Sequence, residues 1–170
     1  MLNIYLTNLG KYNEGFLIGE WVELPASEEE LEKVFERIGI NEEYEEFFIT
    51  DYESDFGYRV GEYDNLEELN EVAEQFENLD ETEKEVFKAL IDEGYSSEDA
   101  LEKISDSDYM VFWNCSDMED VAREYADETG LLDSIPENLQ SYFDFEAYGR
   151  DMSFEGHFVF TDNGNCIEIL

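Results

Sequence analysis

Carboxylates crowd against large aromatic side chains between residues 117 and 151, where Arg123 and Arg150 are the only basic residues. Such a stretch has the groups of an acid–base active site, and also those of a surface that pairs with a basic partner. Its aromatic side chains are Tyr125, Tyr142, Phe143, Phe145 and Tyr148. The acids taken as candidate binding residues here are Asp117, Glu119, Asp120, Glu124, Asp127 and Glu128.

The other residue types that carry chemistry are too few or badly placed for catalysis. His157 is the only histidine, so neither a histidine triad nor a histidine metal cluster can be built. Cys115 and Cys166 lack a neighbouring basic group that would activate a thiolate, and we interpret them as ordinary reduced thiols, with a disulfide between them as the alternative. The glycines form no phosphate-binding loop. We therefore predict that the chain is not an enzyme and holds no metal or cofactor.

One acidic run has the spacing of a calcium-binding loop. Its four acids fall at positions 1, 3, 5 and 12 of that loop. They are Asp51, Glu53, Asp55 and Glu62. The glycine needed at position 6 is replaced by Phe56, with Gly57 one place late, and no clear helix enters the run. These departures argue against specific calcium binding.

The net charge of −38, from 47 acids against 9 Lys and Arg, is the most unusual property of the sequence. Residues 1–61 carry 15 acids and 4 bases, residues 62–104 carry 16 and 3, and residues 105–170 carry 16 and 2. The acidity therefore belongs to the whole chain and not to a detachable tail. Repulsion among so many like charges destabilises a compact state. The high negative charge therefore suggests that the function of the protein requires it.

The amount of charge can be compared with that of duplex DNA, which carries one negative charge per ~1.7 Å of its axis. Thirty-eight charges correspond to roughly 65 Å of duplex, whereas a compact chain of this length would be only about 40 Å across. An elongated arrangement of small units would approach the charge density of DNA.

One predicted helix of the middle region has a strongly acidic outer face. Its candidate binding acids are Glu67, Glu68, Glu71 and Glu74. The predicted helix that carries them and Glu77 is roughly 20 Å long, a length over which a duplex would present about 12 charges. One helix cannot imitate a duplex, but several adjacent acidic faces could come near it.

Secondary-structure patterns in residues 1–61 predict a small antiparallel sheet with one helix. Ser27 and Glu30 have the spacing of a capping box, and Gly39 ends the helix that they begin. Strands are predicted at residues 2–6, 16–24 and 47–52, with a turn at residues 7–15.

The sequence of residues 62–104 predicts helices only. An apolar stripe at helical spacing includes Leu69 and Phe76, and Asp80 with Glu83 begins a second helix that ends at Gly94. Ser96 or Ser97 begins a third.

Residues 105–170 predict a second α+β unit. A strand at residues 109–113 precedes a helix over residues 117–128, which Ser116 caps and Gly130 ends. Pro136 suits the start of a helix over residues 137–142. The end predicts a hairpin of residues 154–160 and 166–170 around a turn at residues 162–165. The fold class is therefore α+β, as an elongated chain of three units: residues 1–61, 62–104 and 105–170.

Three blocks of sequence resemble the ArdA-type antirestriction proteins encoded by phages and other mobile genetic elements. The first is IYLTNLGKYNEG (residues 4–15), and the second is NEEYEEFFITDYE (residues 41–53). The third is DMEDVAREYADETG with the following IPENLQSYFDFEAYGRD. The blocks occur in the expected order, and the resemblance extends to the terminal hairpin.

The resemblance implies an elongated homodimer that imitates B-form DNA and occupies the DNA-binding groove of type I restriction-modification enzymes in the host cytoplasm. It implies no catalysis, cofactor, nucleic-acid ligand or membrane. Residues 131–151 resemble the antirestriction motif near the dimer junction. Within this motif we single out Leu131, Leu132, Ile135, Pro136, Leu139, Tyr142, Phe143, Phe145, Tyr148 and Asp151. We expect the aromatic members to lie in the core, with some of them at the junction.

Other classes of function remain open from the sequence. The chain could be an acidic binding module or chaperone for basic DNA-binding proteins, or an inhibitor of another DNA-targeting defence system. An enzyme adapted to high salt, with an unrecognised site, is a further alternative. No apolar run approaches the ~18 residues of a membrane span, and the N-terminal residues lack a signal-peptide pattern. These features predict a cytoplasmic protein.

Overall fold

Apolar residues alternate along the first strand of the chain and make it the centre of a three-stranded antiparallel sheet. The computed structural model describes residues 1–170 and places β1 (Leu2–Asn8) between β2 (Gly19–Leu24) and β3 (Phe47–Ser54). Leu2, Ile4 and Leu6 are fully buried, as the two-residue period of a strand requires of one face. The three predicted strands are confirmed. Residues 16–18, predicted to begin the second strand, instead precede it and are exposed.

The helix after β2 forms as its sequence predicts. In α2 (Glu28–Ile38) the Ser27 side chain accepts from the Glu30 backbone, while the Glu30 carboxylate accepts from the Ser27 backbone. Gly39 ends the helix with a φ of 79°, a left-handed conformation that glycine adopts without steric cost. Both capping predictions are confirmed.

The predicted turn at residues 7–15 is wrong in part, because residues 9–13 form a short helix, α1 (Leu9–Asn13). Asn8 explains this helix, since its side-chain oxygen accepts from the Lys11 backbone at 2.9 Å. The amide nitrogen of Asn8 donates to Ile38 and Gly39 carbonyls, each at 3.1 Å. One buried asparagine thus begins α1 and also holds the end of α2.

The middle region is helical, as predicted. It contains α3 (Leu66–Asn78), α4 (Glu81–Asp92) and most of α5 (Ser97–Asp106). Asp80 and Glu83 form the predicted capping box of α4. Phe56 packs between these helices, stacked on Phe76 with ring centroids 4.2 Å apart and edge-on to Phe87 at 5.9 Å. Aromatic contacts of this kind supply much of the apolar burial in the core.

The C-terminal sheet is also antiparallel, in the order β4 (Tyr109–Phe112), β6 (Cys166–Ile169), β5 (His157–Phe160). Phe112, Cys115, Val121 and Cys166 form its buried core. Both cysteines are free thiols, as the sequence favoured. The mixture of helices with two antiparallel sheets confirms the α+β class.

Three helices of the C-terminal part differ from their predictions. The first, α6 (Met118–Thr129), is capped by Asp117 and not by Ser116, because the Asp117 carboxylate reaches the backbone of residues 119 and 120. The second, α7 (Glu137–Gln140), is shorter than predicted. The third, α8 (Phe145–Glu155), was not predicted, and it includes Phe154, which was assigned to a strand.

The chain divides into two compact units, Met1–Ser97 and Glu98–Leu170. The finer division into residues 1–61, 62–104 and 105–170 stays a prediction. None of the eight helices combines the length and apolar character that crossing a membrane requires.

Helices α6 and α8 approach each other closely at Gly149. A Cβ atom added to this glycine would lie 2.0 Å from the carbonyl oxygen of Met118 and 3.2 Å from the nitrogen of Glu119. These neighbours are backbone atoms at the start of α6, so they cannot move aside as a flexible side chain would. The absence of a side chain at Gly149 therefore fixes how α8 packs on α6.

We expect Gly149→Ala to destabilise the protein by about 1–3 kcal/mol, because the methyl group would force the two helices apart. Helix propensity predicts the opposite sign, since alanine is favoured over glycine by about 1 kcal/mol within a helix. Chemical denaturation followed by circular dichroism distinguishes the two. A variant as stable as the parent, or more stable, would show that the close approach does not determine the packing.

Candidate functional site

The outer face of α3 is a row of free carboxylates, which we call the α3 stripe. It consists of Glu67, Glu68, Glu71 and Glu74. All four side chains are exposed, while Leu69, Ala73 and Phe76 on the other side of the helix are buried. None of the four takes part in an ion pair with a basic side chain. The structure thus leaves every charge of the α3 stripe available to a partner.

Five acids share one face of α6, which we call the α6 stripe. The cap residue Asp117, then Asp120, Glu124 and Asp127 follow one another at three- or four-residue spacing, and Glu128 lies four residues after Glu124. Val121, Ala122 and Ala126 of the same helix are buried. Glu119, the sixth predicted acid of this helix, lies away from the stripe.

The α6 stripe has the linear charge density of one DNA strand. Eleven residues separate Asp117 from Glu128, which is about 16 Å along a helix. A single strand of B-form DNA carries one phosphate per ~3.4 Å of axis, or about five over that length. Five carboxylates lie on the stripe, so the match is to one strand and not to both.

Three acids of the α6 stripe have a structural role as well as a charge. Asp117 accepts from the Glu119 and Asp120 backbone at 2.9 and 3.0 Å. Asp120 accepts from both the backbone nitrogen and the hydroxyl of Ser116, at 3.1 and 3.0 Å. These hydrogen bonds from Ser116 lower the pKa of the Asp120 carboxyl below its usual value.

The third such acid is Glu124, which is tied to the core of the C-terminal unit. Its carboxylate accepts from the Cys115 thiol at 3.0 Å and from the Trp113 backbone at 3.3 Å. Burial and then the neighbouring Glu124 carboxylate raise the pKa of Cys115 to about 12. The thiol therefore stays protonated and acts as a hydrogen-bond donor, without the thiolate character that a nucleophile needs.

Glu119 serves a different purpose on the side of α6. It forms an ion pair with Arg123, four residues later on the same helix. The Arg123 guanidinium also lies over the Phe145 ring, 4.4 Å from its centroid. One arginine thereby connects α6 to the start of α8, a contact that the sequence pattern did not reveal.

Two polar side chains shape the predicted motif, residues 131–151. Gln140 on α7 donates to the carbonyls of Leu132 and Ile135, each at 3.1 Å, and so closes the turn before the helix. Asp144 accepts from the Ala147 backbone at 2.9 Å and begins α8. Asp151, also singled out, is exposed and lies 3.4 Å from Arg150.

The apolar side chains of this motif separate into two sets. Phe143 meets Phe145 and Tyr148 edge-on, with centroids 4.8 and 5.5 Å apart, and Tyr148 lies near Tyr125 of α6. These motif aromatics are half-buried, close to the core position expected of them. Leu132 and Ile135 are half-buried as well.

The second set faces outward. Tyr142 is 83% exposed and Leu139 is 49% exposed, so the expectation of a core position is wrong for Tyr142. Leu131 and Pro136 are exposed too. We call Leu131, Pro136, Leu139 and Tyr142 the apolar patch of the C-terminal unit.

The calcium-like spacing does not form a loop. Asp51 and Glu53 lie within β3, and Asp55 approaches the N-terminal amine at 3.6 Å. No group of three or more His, Cys, Asp or Glu side chains is placed to hold a metal ion.

The sequence did not reveal one candidate site, an aromatic cavity on the N-terminal sheet. It is lined by Tyr5, Trp21 and Phe48 among others.

We expect Ser116→Ala to raise the pKa of Asp120 toward its ordinary value, because one of its two hydrogen bonds from Ser116 is lost. A depressed carboxyl pKa stabilises the fold above the pKa of the unfolded chain, and this stabilisation disappears as pH falls through the folded value. The variant should therefore be less stable than the parent at neutral pH and equal to it in acid. NMR titration of the Asp120 carboxyl, with denaturation at each pH, measures both effects.

Ser134→Ala is the matched control, since Ser134 is exposed and makes no comparable contact with an acid. An Asp120 titration that is unchanged in Ser116→Ala would show that the Ser116 hydroxyl does not set this pKa.

Comparison with protein families finds a match to the family described as "Antirestriction protein (ArdA)" over residues 4–166 of the 170. Comparison with curated protein sequences finds no match. The family match runs through both units and includes the α3 stripe, the α6 stripe and the apolar patch. The chain is therefore a member of the ArdA family of antirestriction proteins.

Proposed function

We propose that this protein inhibits type I restriction-modification enzymes by occupying their DNA-binding groove as a mimic of B-form DNA. The observation that carries the proposal is the α6 stripe, whose five carboxylates match the average linear charge density of one DNA strand. Family membership supports the antirestriction activity itself. The net charge of −38 supplies the long-range attraction to a basic groove.

The proposed inhibition is electrostatic and competitive. Each carboxylate that replaces a phosphate takes over a lysine or arginine of the groove, so the inhibitor excludes DNA by occupancy. Attraction of this kind accelerates association and weakens as salt rises. Because phosphate contacts carry little sequence information, one inhibitor can act on enzymes with different target sequences. The DNA that benefits is that of the phage or mobile element carrying the gene.

The apolar patch supports a second element of the proposal, a homodimer joined through residues 131–151. Its four exposed apolar side chains lie within twelve residues of the chain, and monomeric proteins seldom leave a large apolar patch exposed without a partner. The patch is carried by α7 and its flanking turns, which Gln140 holds in place. Burying the same patch of two copies against each other would join two charged arms, as a twofold dimer requires.

Neutralising the α3 stripe tests the charge mechanism. We expect any single change among Glu67→Gln, Glu68→Gln, Glu71→Gln and Glu74→Gln to alter inhibition by less than about twofold, because the binding energy is spread over many charges. The variant with all four substitutions should inhibit about tenfold or more weakly than the parent. Its inhibition should also depend less on salt concentration. A cleavage assay with a purified type I enzyme, run over a salt series, measures both.

The matched control is a fourfold Glu→Gln variant of the exposed acids Glu42, Glu43, Glu45 and Glu46, which lie outside both stripes. It removes the same charge and should retain more inhibition than the α3 variant. If both variants lost inhibition equally, inhibition would depend on net charge alone and not on the α3 stripe. Failure of the parent protein to inhibit several type I enzymes would refute the proposed target.

Truncating the apolar patch tests the dimer. We expect Leu139→Ala with Tyr142→Ala to shift the protein toward monomer in light-scattering measurements, because both exposed side chains lie on the proposed interface. Phe154→Ala is the control, since Phe154 is 80% exposed but lies outside residues 131–151. An unchanged dimer in the double variant, or dissociation by Phe154→Ala instead, would place the interface elsewhere.

A further inference from the structure

The N-terminal sheet carries an aromatic surface on the face opposite its core. Trp21 of β2 and Asp51 of β3 are both directly paired with Tyr5 of β1. Paired residues of antiparallel strands project to the same face, so these side chains form one row across the sheet. The Tyr5 and Trp21 rings meet edge-on with centroids 5.3 Å apart. Trp21 is nonetheless 44% exposed, so this row faces solvent.

Neighbouring elements turn this face into an open, solvent-accessible cavity of about 510 Å³. Tyr12 of α1 contributes one side, with its ring edge-on to Phe48 of β3 at 5.2 Å. Glu62 contributes the other, in a segment held against β3 by the hydrogen bond from the Ile49 nitrogen to the Glu62 carbonyl, 2.9 Å. The volume falls within the range of about 300–1,000 Å³ that is usual for binding pockets.

The position of the Tyr5 ring depends on Gly19. A Cβ atom at Gly19 would lie 2.5 Å from a Tyr5 ring carbon and 2.6 Å from the Leu6 carbonyl oxygen. The Tyr5 hydroxyl donates to the Gly19 carbonyl at 3.0 Å. The glycine thus lets the tyrosine lie flat along the neighbouring strand, where it forms part of the cavity wall.

The cavity has the electrostatics of a cation site. Asp51 and Glu62 line it, no lysine or arginine does, and neither carboxylate belongs to an ion pair. Aromatic faces attract cations, and two carboxylates add to the attraction. The chain already uses this contact elsewhere, with Lys11 3.7 Å from the Tyr44 ring centroid and Arg123 over Phe145.

We propose that this cavity binds an arginine side chain of a protein partner. A planar guanidinium can stack on an aromatic ring while it donates to a carboxylate, and its aliphatic stem packs against the rest of the wall. A metal ion would need more ligating groups than the cavity offers. A phosphate-bearing ligand would be repelled by the two acids. The proposal names one contact of the complex described above and rests on that function for the identity of the partner.

The two tryptophans provide a direct test. Trp21 lines the cavity, whereas Trp113 is equally exposed, at 47% against 44%, but lies in the other unit. The probe is acetyl-Gly-Arg-Gly-amide, titrated into ¹⁵N-labelled protein. We expect the Trp21 indole NMR signal to shift saturably while the Trp113 signal stays in place. The same peptide with citrulline, the neutral isostere of arginine, should produce no saturable shift.

Substitution of Asp51 and Glu62 provides a second test of the cavity. Asp51→Asn with Glu62→Gln should weaken the arginine peptide by about fivefold or more, because it removes the charge without altering shape. Glu42→Gln with Glu43→Gln removes two exposed acids elsewhere and should change affinity by less than about twofold. Equal binding of the citrulline peptide, equal shifts of both tryptophans, or equal losses in the two double variants would overturn the proposal.

The failure of this site and the failure of the proposed function give different results. Peptide binding at Trp21 tests the cavity alone, without any restriction enzyme. If the cavity binds arginine and the protein inhibits no type I enzyme, the cavity proposal is supported and the proposed target enzyme is refuted. If inhibition is strong and the arginine peptide does not bind, the cavity proposal falls alone.

Discussion

Repulsion among 47 carboxylates is the constraint under which every part of this fold must be stable. The chain answers it with dense apolar burial in each unit, including the stacked Phe56 and Phe76 of the N-terminal unit. It also gives many acids a local partner. Ser27 with Glu30 and Asp80 with Glu83 close two helix ends, so that some of the charge which strains the fold also stabilises its helices.

The two acidic stripes show two ways of displaying charge. On α3 the acids have no structural duty, and the helix is a support for free carboxylates. On α6 three of the five stripe acids are hydrogen-bonded within their own unit, to the helix start, to Ser116 or to Cys115. Hydrogen bonding fixes where those charges point, which a rigid imitation of a phosphate row requires. The structure thereby connects the stability of α6 with the function that we propose for its surface.

Features set by neighbouring residues could be predicted from the sequence, whereas features set by distant contacts could not. The capping boxes, the glycine helix ends and the strands of the first sheet depend on local pattern, and they form as predicted apart from residues 16–18. The cap of α6 was assigned one residue early because Ser116 and Asp117 are both good caps. Helix α8 has a weak apolar stripe and contains Gly149, whose role lies in its approach to Met118. The aromatic cavity was missed because alternation along β1 shows which face a residue is on, and not that α1 and residue 62 lie beside it.

Some acids of the α6 stripe are held by hydrogen bonds and others only contribute charge. This difference affects how the sequence can diverge. Asp117 caps a helix through a short side chain, and Glu124 must reach the buried Cys115 thiol, so the length of each side chain matters as well as its charge. Asp127 and Glu128 contribute only negative charge to an exposed face. We therefore expect aspartate and glutamate to be interchangeable at the second pair and not at the first. A surface that functions through charge can therefore drift quickly in sequence while a few of its acids stay fixed by the interior.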